Sequence, residues 1–148
     1  MDKNISKNKT MKKINLYFGL ILFAVFLLSG YYLKAYFKPQ HIAYLPLRME
    51  IRANHIYILF LSFLNIISFK CELTQGKKVS SVLDSAFRVL LIVSGMVAIY
   101  AFMYDHNGDL IGRKVTLLAA VLSLSSIVLF LTNELLYKLP ITKTKNPH

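Results

Sequence analysis

The chain has 148 residues, 55% of them hydrophobic, with eighteen Lys or Arg against seven Asp or Glu and a net charge of +11. One cysteine, Cys71, excludes an intrachain disulfide, a thiol-pair relay and a tetrahedral cysteine metal site. The basic residues fall between apolar runs and form no aromatic-interleaved stripe, which excludes a nucleic-acid surface and suits the edges of membrane spans.

Four runs carry no charge at all: residues 14–33, 53–69, 89–104 and 115–133. At the helical rise of about 1.5 Å per residue, such runs approach or match the ~30 Å hydrocarbon layer of a bilayer. Backbone groups in lipid have no water to bond, so a helix that bonds to itself is the natural spanning structure. The expected fold is all-α: a polytopic integral membrane protein, a four-helix transmembrane bundle with one domain over residues 14–138.

Residues 1–13 are rich in lysine and asparagine and read as a disordered basic tail, with Met11 an alternative start. The first run follows Lys12 and Lys13, a basic start like that of a secretion signal. It is longer than a signal core, however, and Tyr31 stands where a lipidated cysteine would follow Ser29-Gly30. A retained helix over about 14–36 is expected. Its Asn15, Gly19 and Ser29 share one face.

Pro46 opens a second helix, over about 47–69. Arg48, Arg52, His55 and Ser62 lie within about 40° of one line, because i+4 and i+7 neighbours share a face. Glu50 and Asn54 point elsewhere. Two readings of this stripe stand. Its arginines reach lipid headgroups at a boundary where Tyr57 also anchors the helix. Alternatively, Arg48, Arg52, His55 and Tyr57 form a site for an anion, a lipid headgroup or a cofactor propionate. A haem held by two histidines would need one more than His55, the only histidine within a run, so a partner would have to supply it. No cofactor is expected otherwise.

Gly76 turns the chain before a third helix over about 81–104, with Ser81 as its cap and Asp84 in its first turn. Asp84 and Arg88 stand one turn apart and can pair. Ser94, Gly95, Ala98 and Ala101 offer small faces for close helix contact. Asn107-Gly108 makes the next turn. The segment from Asp105 to Asp109 imitates a calcium loop, but Leu110 replaces the required glycine and Thr116 the bidentate glutamate. His106 with Asp105 or Asp109, even joined by His41 or His55, has no transition-metal spacing, so no metal is expected. The fourth helix spans about 113–138, packs through Thr116, Ala119, Ser123, Ser126 and Asn133, and stops before Pro140. Residues 139–148 form a second basic tail.

Lys and Arg number five before the first run, four over 34–52, four over 70–88, two over 105–114 and three at the C-terminal end. Alternating sides places twelve with the termini and six opposite, so both termini are expected in the cytoplasm. Tyr31, Tyr32, Tyr36, Tyr57, Tyr100 and Tyr104 fall near the opposite ends as an aromatic belt.

No phosphate loop, serine elbow or paired intramembrane carboxylate is present, and Ser123, Ser125 and Ser126 have no histidine in their span. The residues from Leu47 to Tyr57, with Arg52, His55, Ile56 and Tyr57 in an Arg-x-x-His-Ile-Tyr pattern after the Ser29-Gly30-Tyr31 span, resemble a group of small proteobacterial inner-membrane proteins of about four helices. That resemblance covers mainly residues 27–69 and implies no particular activity; it gives Arg52, His55 and Tyr57 added weight as a site. Two functions remain open. One is a noncatalytic structural or accessory component of a membrane assembly, contacting lipids, its own copies or a larger complex. The other is a small transporter or anion-, lipid- or cofactor-binding protein using the Arg48, Arg52 and His55 stripe. The absence of Asp or Glu from the uncharged runs weighs against proton-coupled export.

Overall fold

The computed structural model describes residues 2–40, 44–71, 78–105 and 113–138. Helix α1 covers Asp2–Tyr32 and passes through a π-helical turn, Leu33–Phe37, into the short α2, Lys38–Gln40. Helices α3 (Leu45–Lys70), α4 (Lys78–Tyr104) and α5 (Lys114–Lys138) follow, and no strand occurs among the described residues. Four helical stretches are long and apolar enough to cross a membrane: Thr10–Phe37, Leu45–Lys70, Ser81–Tyr104 and Lys114–Leu135.

Three helix limits differ from the sequence expectation. Residues 2–13 continue α1 instead of forming a disordered tail, because adding turns to an existing helix avoids the cost of nucleating one. Helix α4 is already formed at Lys78, which places Ser81 inside it rather than at its cap. The first helix also runs past residue 36. Pro39 has no N–H for the helical ladder, and just before it the Lys38 N–H reaches back five residues to the Leu33 carbonyl. The turns expected at Gly76 and Asn107-Gly108, the stop at Pro140 and the tail 139–148 lie outside the described residues.

The chain folds as two helical hairpins, α1 against α3 and α4 against α5, joined chiefly by α3–α4 contact. Small residues set the spacing. A Cβ on Gly19 would lie 2.8 Å from the Ile66 side chain and 3.0 Å from both the Ile66 nitrogen and the Ser62 carbonyl oxygen, so only glycine fits the α1–α3 crossing. Gly95 likewise admits the Phe18 ring and Leu22 of α1. Leu22, Ile58, Leu61, Ala98 and Ala119 make the main core, and Phe87 and Leu91 a second cluster against Phe130.

Polarity is reversed relative to a water-soluble bundle. Asn15, Ser62, Asn65, Asp84, Arg88, Ser94 and Ser126 have no exposed surface, whereas Leu28, Ile56, Ile67, Leu117, Leu124 and Val128 are each more than half exposed. In water that arrangement would leave the largest apolar side chains on the wrong side of the structure. The faces expected from small residues are the packed ones: Asn15, Gly19 and Ser29 on α1, Ser94 and Ala98 on α4, Ala119, Ser123, Ser126 and Asn133 on α5 are all buried.

Gly19→Val forces the α1–α3 crossing apart against backbone atoms. Overpacking of this kind costs about 1–3 kcal/mol, so the variant is expected to show a lower thermal midpoint in detergent than Gly30→Ala, whose added Cβ meets only the His55 ring. Equal midpoints would refute glycine-dependent packing at that crossing.

Candidate functional site

The end of the bundle where α1 leads to α3 and α4 to α5 holds two polar arrangements, and the opposite end holds a third. The first is a groove of about 390 Å³ between α3 and the continuation of α1. Lys34 and Lys38 line it from the π turn and α2, and Arg48, Arg52 and His55 line it from the first three turns of α3. Leu33, Phe37 and Ile51 supply its apolar part, with Phe37 and Ile51 buried. Among the described residues, the groove is lined by no Asp or Glu.

His55 is held by α1. Its ring stacks on Phe26 with centroids 4.2 Å apart and an interplanar angle of 15°. Its Nδ1 lies 2.9 Å from Ser29 Oγ, and that hydroxyl donates to the Phe26 carbonyl at 3.0 Å. With the hydroxyl proton so used, Nδ1–H is the donor to Oγ, which leaves Nε2 as the nitrogen free to face a ligand. Gly30 lies beside that ring edge, where a Cβ would come within 3.2 Å of Cε1. His55 is the only histidine among the described residues, since His41 and His106 lie outside them.

Tyr57 does not join this site. Its hydroxyl donates to the Ala119 carbonyl at 3.1 Å and contacts Ser123 Oγ, tying α3 to α5. It therefore also leaves the aromatic belt, whose other members remain exposed, with Tyr32 stacked on Tyr36 and Tyr100 against Tyr104. Ser62 leaves the stripe as well: it is buried and donates to the Gly19 carbonyl at 2.9 Å. Sequence spacing showed that these residues share a side of α3; it carried no information about which neighbouring helix each one meets.

The second arrangement centres on Asn54, which sequence reasoning set aside. Its amide donates to the Ala101 carbonyl at 3.2 Å, and its Oδ1 accepts from Arg113. Asp105 Oδ2 accepts from the Thr116 amide at 2.8 Å and the Thr116 hydroxyl at 2.7 Å. The carboxylate thereby caps the first turn of α5, where unpaired N–H groups and the helix dipole favour negative charge. Asp105 Oδ2 is thus engaged at a helix end. No group of three His, Cys, Asp or Glu among the described residues is placed to hold a metal ion.

At the opposite end Arg88 pairs with Asp84 as expected, both with no exposed surface, through Nε bonds of 3.1 and 3.0 Å to the two carboxylate oxygens. The guanidinium also donates to the carbonyls of Ser68 at 2.8 Å and Cys71 at 3.1 Å, capping the end of α3. Asn15 bridges in from α1, donating to Asn65 Oδ1 at 3.0 Å and to the Arg88 carbonyl at 3.3 Å. Carboxylates are therefore present inside the bundle at Glu50, Asp84 and Asp105, although the uncharged runs contain none. The helices extend beyond those runs, and their ends pack.

Comparison with protein-family models, curated proteins and solved structures gives no match.

Arg88→Met would strand the Asp84 carboxylate and uncap two carbonyls. Removing one member of a buried ion pair costs about 3–5 kcal/mol, so thermal unfolding in detergent should begin far lower, with part of the loss recovered when Asp84→Asn is added. An unchanged midpoint for Arg88→Met would show that the Arg88 bonds to the Ser68 and Cys71 carbonyls do not hold α3 to α4.

Proposed function

We propose that the chain is a small noncatalytic multi-pass membrane protein, with both termini in the cytoplasm, serving as a structural or accessory component of an inner-membrane assembly. The observation that carries this reading is the reversed polarity: apolar side chains cover the outside while amides, hydroxyls and an ion pair pack within. Lipid gives apolar burial no net drive, so small residues and interhelical hydrogen bonds supply the contact between helices. The polar groups that resemble catalytic candidates support the same reading. Ser94 donates to the Ala119 carbonyl at 2.9 Å, and Ser123 and Ser126 donate to carbonyls within α5, so these hydroxyls serve helix contact and helix geometry. Orientation rests on the excess of Lys and Arg on the side of the termini.

A second reading, ligand binding through Arg48, Arg52 and His55, is favoured by the groove these residues line. It is compatible with an accessory role, because a bound lipid or anion need not be turned over.

Membrane residence is checked by alkaline carbonate: the chain is expected to stay with the membrane pellet, and release into the supernatant would overturn the reading. Orientation is checked at Cys71, the sole cysteine, which lies beyond the end of α3 on the side assigned to the cytoplasm. A membrane-impermeant maleimide should label it in inverted vesicles and leave it unlabelled in intact cells; the reverse pattern would reverse the topology. Burial pushes the Cys71 thiol above its usual range, with Arg88 acting in the opposite sense. The thiolate is the reactive form, so labelling should be slow at neutral pH and speed up roughly tenfold per pH unit as pH rises toward the elevated value.

A further inference from the structure

We propose that the outward face of α5 pairs with the same face of a second copy of this chain, with Ser125 at the centre of the contact, an inference that rests on the membrane reading above. Ser125 is exposed, and it lies eleven residues after Lys114 and ten before Leu135, the two ends of its span. Among the described residues its hydroxyl has no hydrogen-bond partner, whereas the neighbouring Ser123 and Ser126 donate to the Ala120 and Ser123 carbonyls. The buried Ser29, Ser62 and Ser94 are bonded as well. At the depth of Ser125 the surroundings are hydrocarbon, where no water completes the pairing.

The residues around Ser125 form a seam. Leu118, Val121, Ser125, Val128, Thr132 and Leu135 follow one another in steps of three and four, so they keep to one line of the helix. All six are exposed, and Leu118, Val121, Val128 and Leu135 are each more than half exposed. A repeat averaging about 3.5 residues is the pattern by which two helices stay in contact through a left-handed crossing of about 20°. Thr132 donates to the Val128 carbonyl at 2.8 Å, so Ser125 is the hydroxyl of the seam left to bond across it. The outward faces of α1, α3 and α4 differ, because Phe23, Phe60, Phe63 and Met96 project from them. Side chains of that size hold a neighbouring backbone further off than Ser or Val does.

Symmetry selects a second copy as the occupant. Copies inserted with one orientation are related by a two-fold axis along the bilayer normal, which sets the two α5 helices parallel. Each seam residue then faces its own counterpart. A hydroxyl is donor and acceptor at once, so Ser125 finds what it lacks in the Ser125 hydroxyl opposite. The area agrees: the six seam side chains expose on the order of 500 Å² per copy, near the ~1,000 Å² in total that a specific contact needs. Within the chain, α5 packs chiefly on α4, and Thr116, Ala119 and Ser123 meet α3 on the side away from the seam. The seam is left to a partner.

The test is disulfide cross-linking of the full chain in native membranes, with Cys71→Ser as the background. Ser125→Cys, Val121→Cys and Val128→Cys probe the seam, while Ala24→Cys on α1 and Phe63→Cys on α3 probe other outward faces. A disulfide needs Cα atoms within about 7 Å, so the seam positions should give at least about tenfold more cross-linked dimer than Ala24→Cys or Phe63→Cys. In neutral detergent, Ser125→Ala should weaken the dimer roughly three- to tenfold by sedimentation equilibrium. Ser125→Thr, which keeps a hydroxyl, should retain it. Cross-linking no stronger on the seam than at Ala24 or Phe63 overturns the proposal, and so does a dimer that Ser125→Ala leaves unchanged. A seam cross-link to a chain of another mass overturns the second copy as occupant. A chain that stays monomeric in both measurements overturns it too, and its Ser125 hydroxyl then bonds to its own Val121 carbonyl. Should Ser125→Cys fail to insert, the two valine positions carry the comparison. Carbonate extraction of the same variants is independent of these outcomes: a retained chain without seam cross-links loses the dimer alone, and a released chain loses the membrane reading.

Discussion

Polar groups inside this bundle draw their partners from the bundle itself, because the side chains on its outside are largely apolar. That requirement explains why so much of the interior is amide, hydroxyl and charge. A buried leucine gains little when the alternative is a lipid tail, whereas an unpaired amide in the same place costs several kcal/mol (about 2–7, depending on the reference state). Helix contacts are accordingly made where side chains are short, at Gly19, Gly95, Ala98, Ala119 and Ser126. Hydrogen bonds then fix which residues meet.

Those bonds are concentrated at the two ends. Near the termini, Arg88 joins α4 to the last carbonyls of α3, and Asn15 brings α1 to the same point. At the other end Asn54 of α3 contacts the last turn of α4, and Asp105 beyond that turn holds the first turn of α5. Between them Tyr57 crosses from α3 to α5. A buried ion pair contributes less net stability than its geometry suggests, because desolvation offsets most of the attraction. Its larger effect is on uniqueness: with Asp84 holding the guanidinium in place, any other register of α3 against α4 takes the Ser68 and Cys71 carbonyls away from Arg88.

How much of this was legible in the sequence follows from what each signal measures. Uncharged length locates a span, and small residues at helical spacing locate a packed face; both are properties of one helix, and both matched the structure. The Asp84–Arg88 pair was legible for the same reason, since its members sit one turn apart. Asn54 points away from the stripe as expected, but its partners and those of Tyr57 depend on the register of α4 and α5 beside α3, which no single-helix pattern encodes. Lys34 and Lys38 were counted as loop charges, because an ordinary helix expected to end near residue 36 leaves them at its frayed end. The π turn before Pro39 had a cause in the sequence, a residue without an N–H, but the size of the resulting register shift depends on how α1 docks on α3. Glu50, Asp84 and Asp105 escaped the test for intramembrane carboxylates because that test examined uncharged runs, while packing extends to the helix ends.

The same four cations bear on orientation. The positive-inside bias counts Lys and Arg in short loops near the spans, and acidic neighbours do little to cancel them. Residues 34–52 therefore place four charges on the side where the bias disfavours them, against twelve on the side of the termini. Outside the groove, that disfavoured side carries only Arg113 and Lys114, and Arg113 is engaged by Asn54. Four of the six charges that oppose that orientation thus line one concavity. A loop under no other constraint would keep the side depleted. These four are brought together by two separate helical segments rather than spread along a linker.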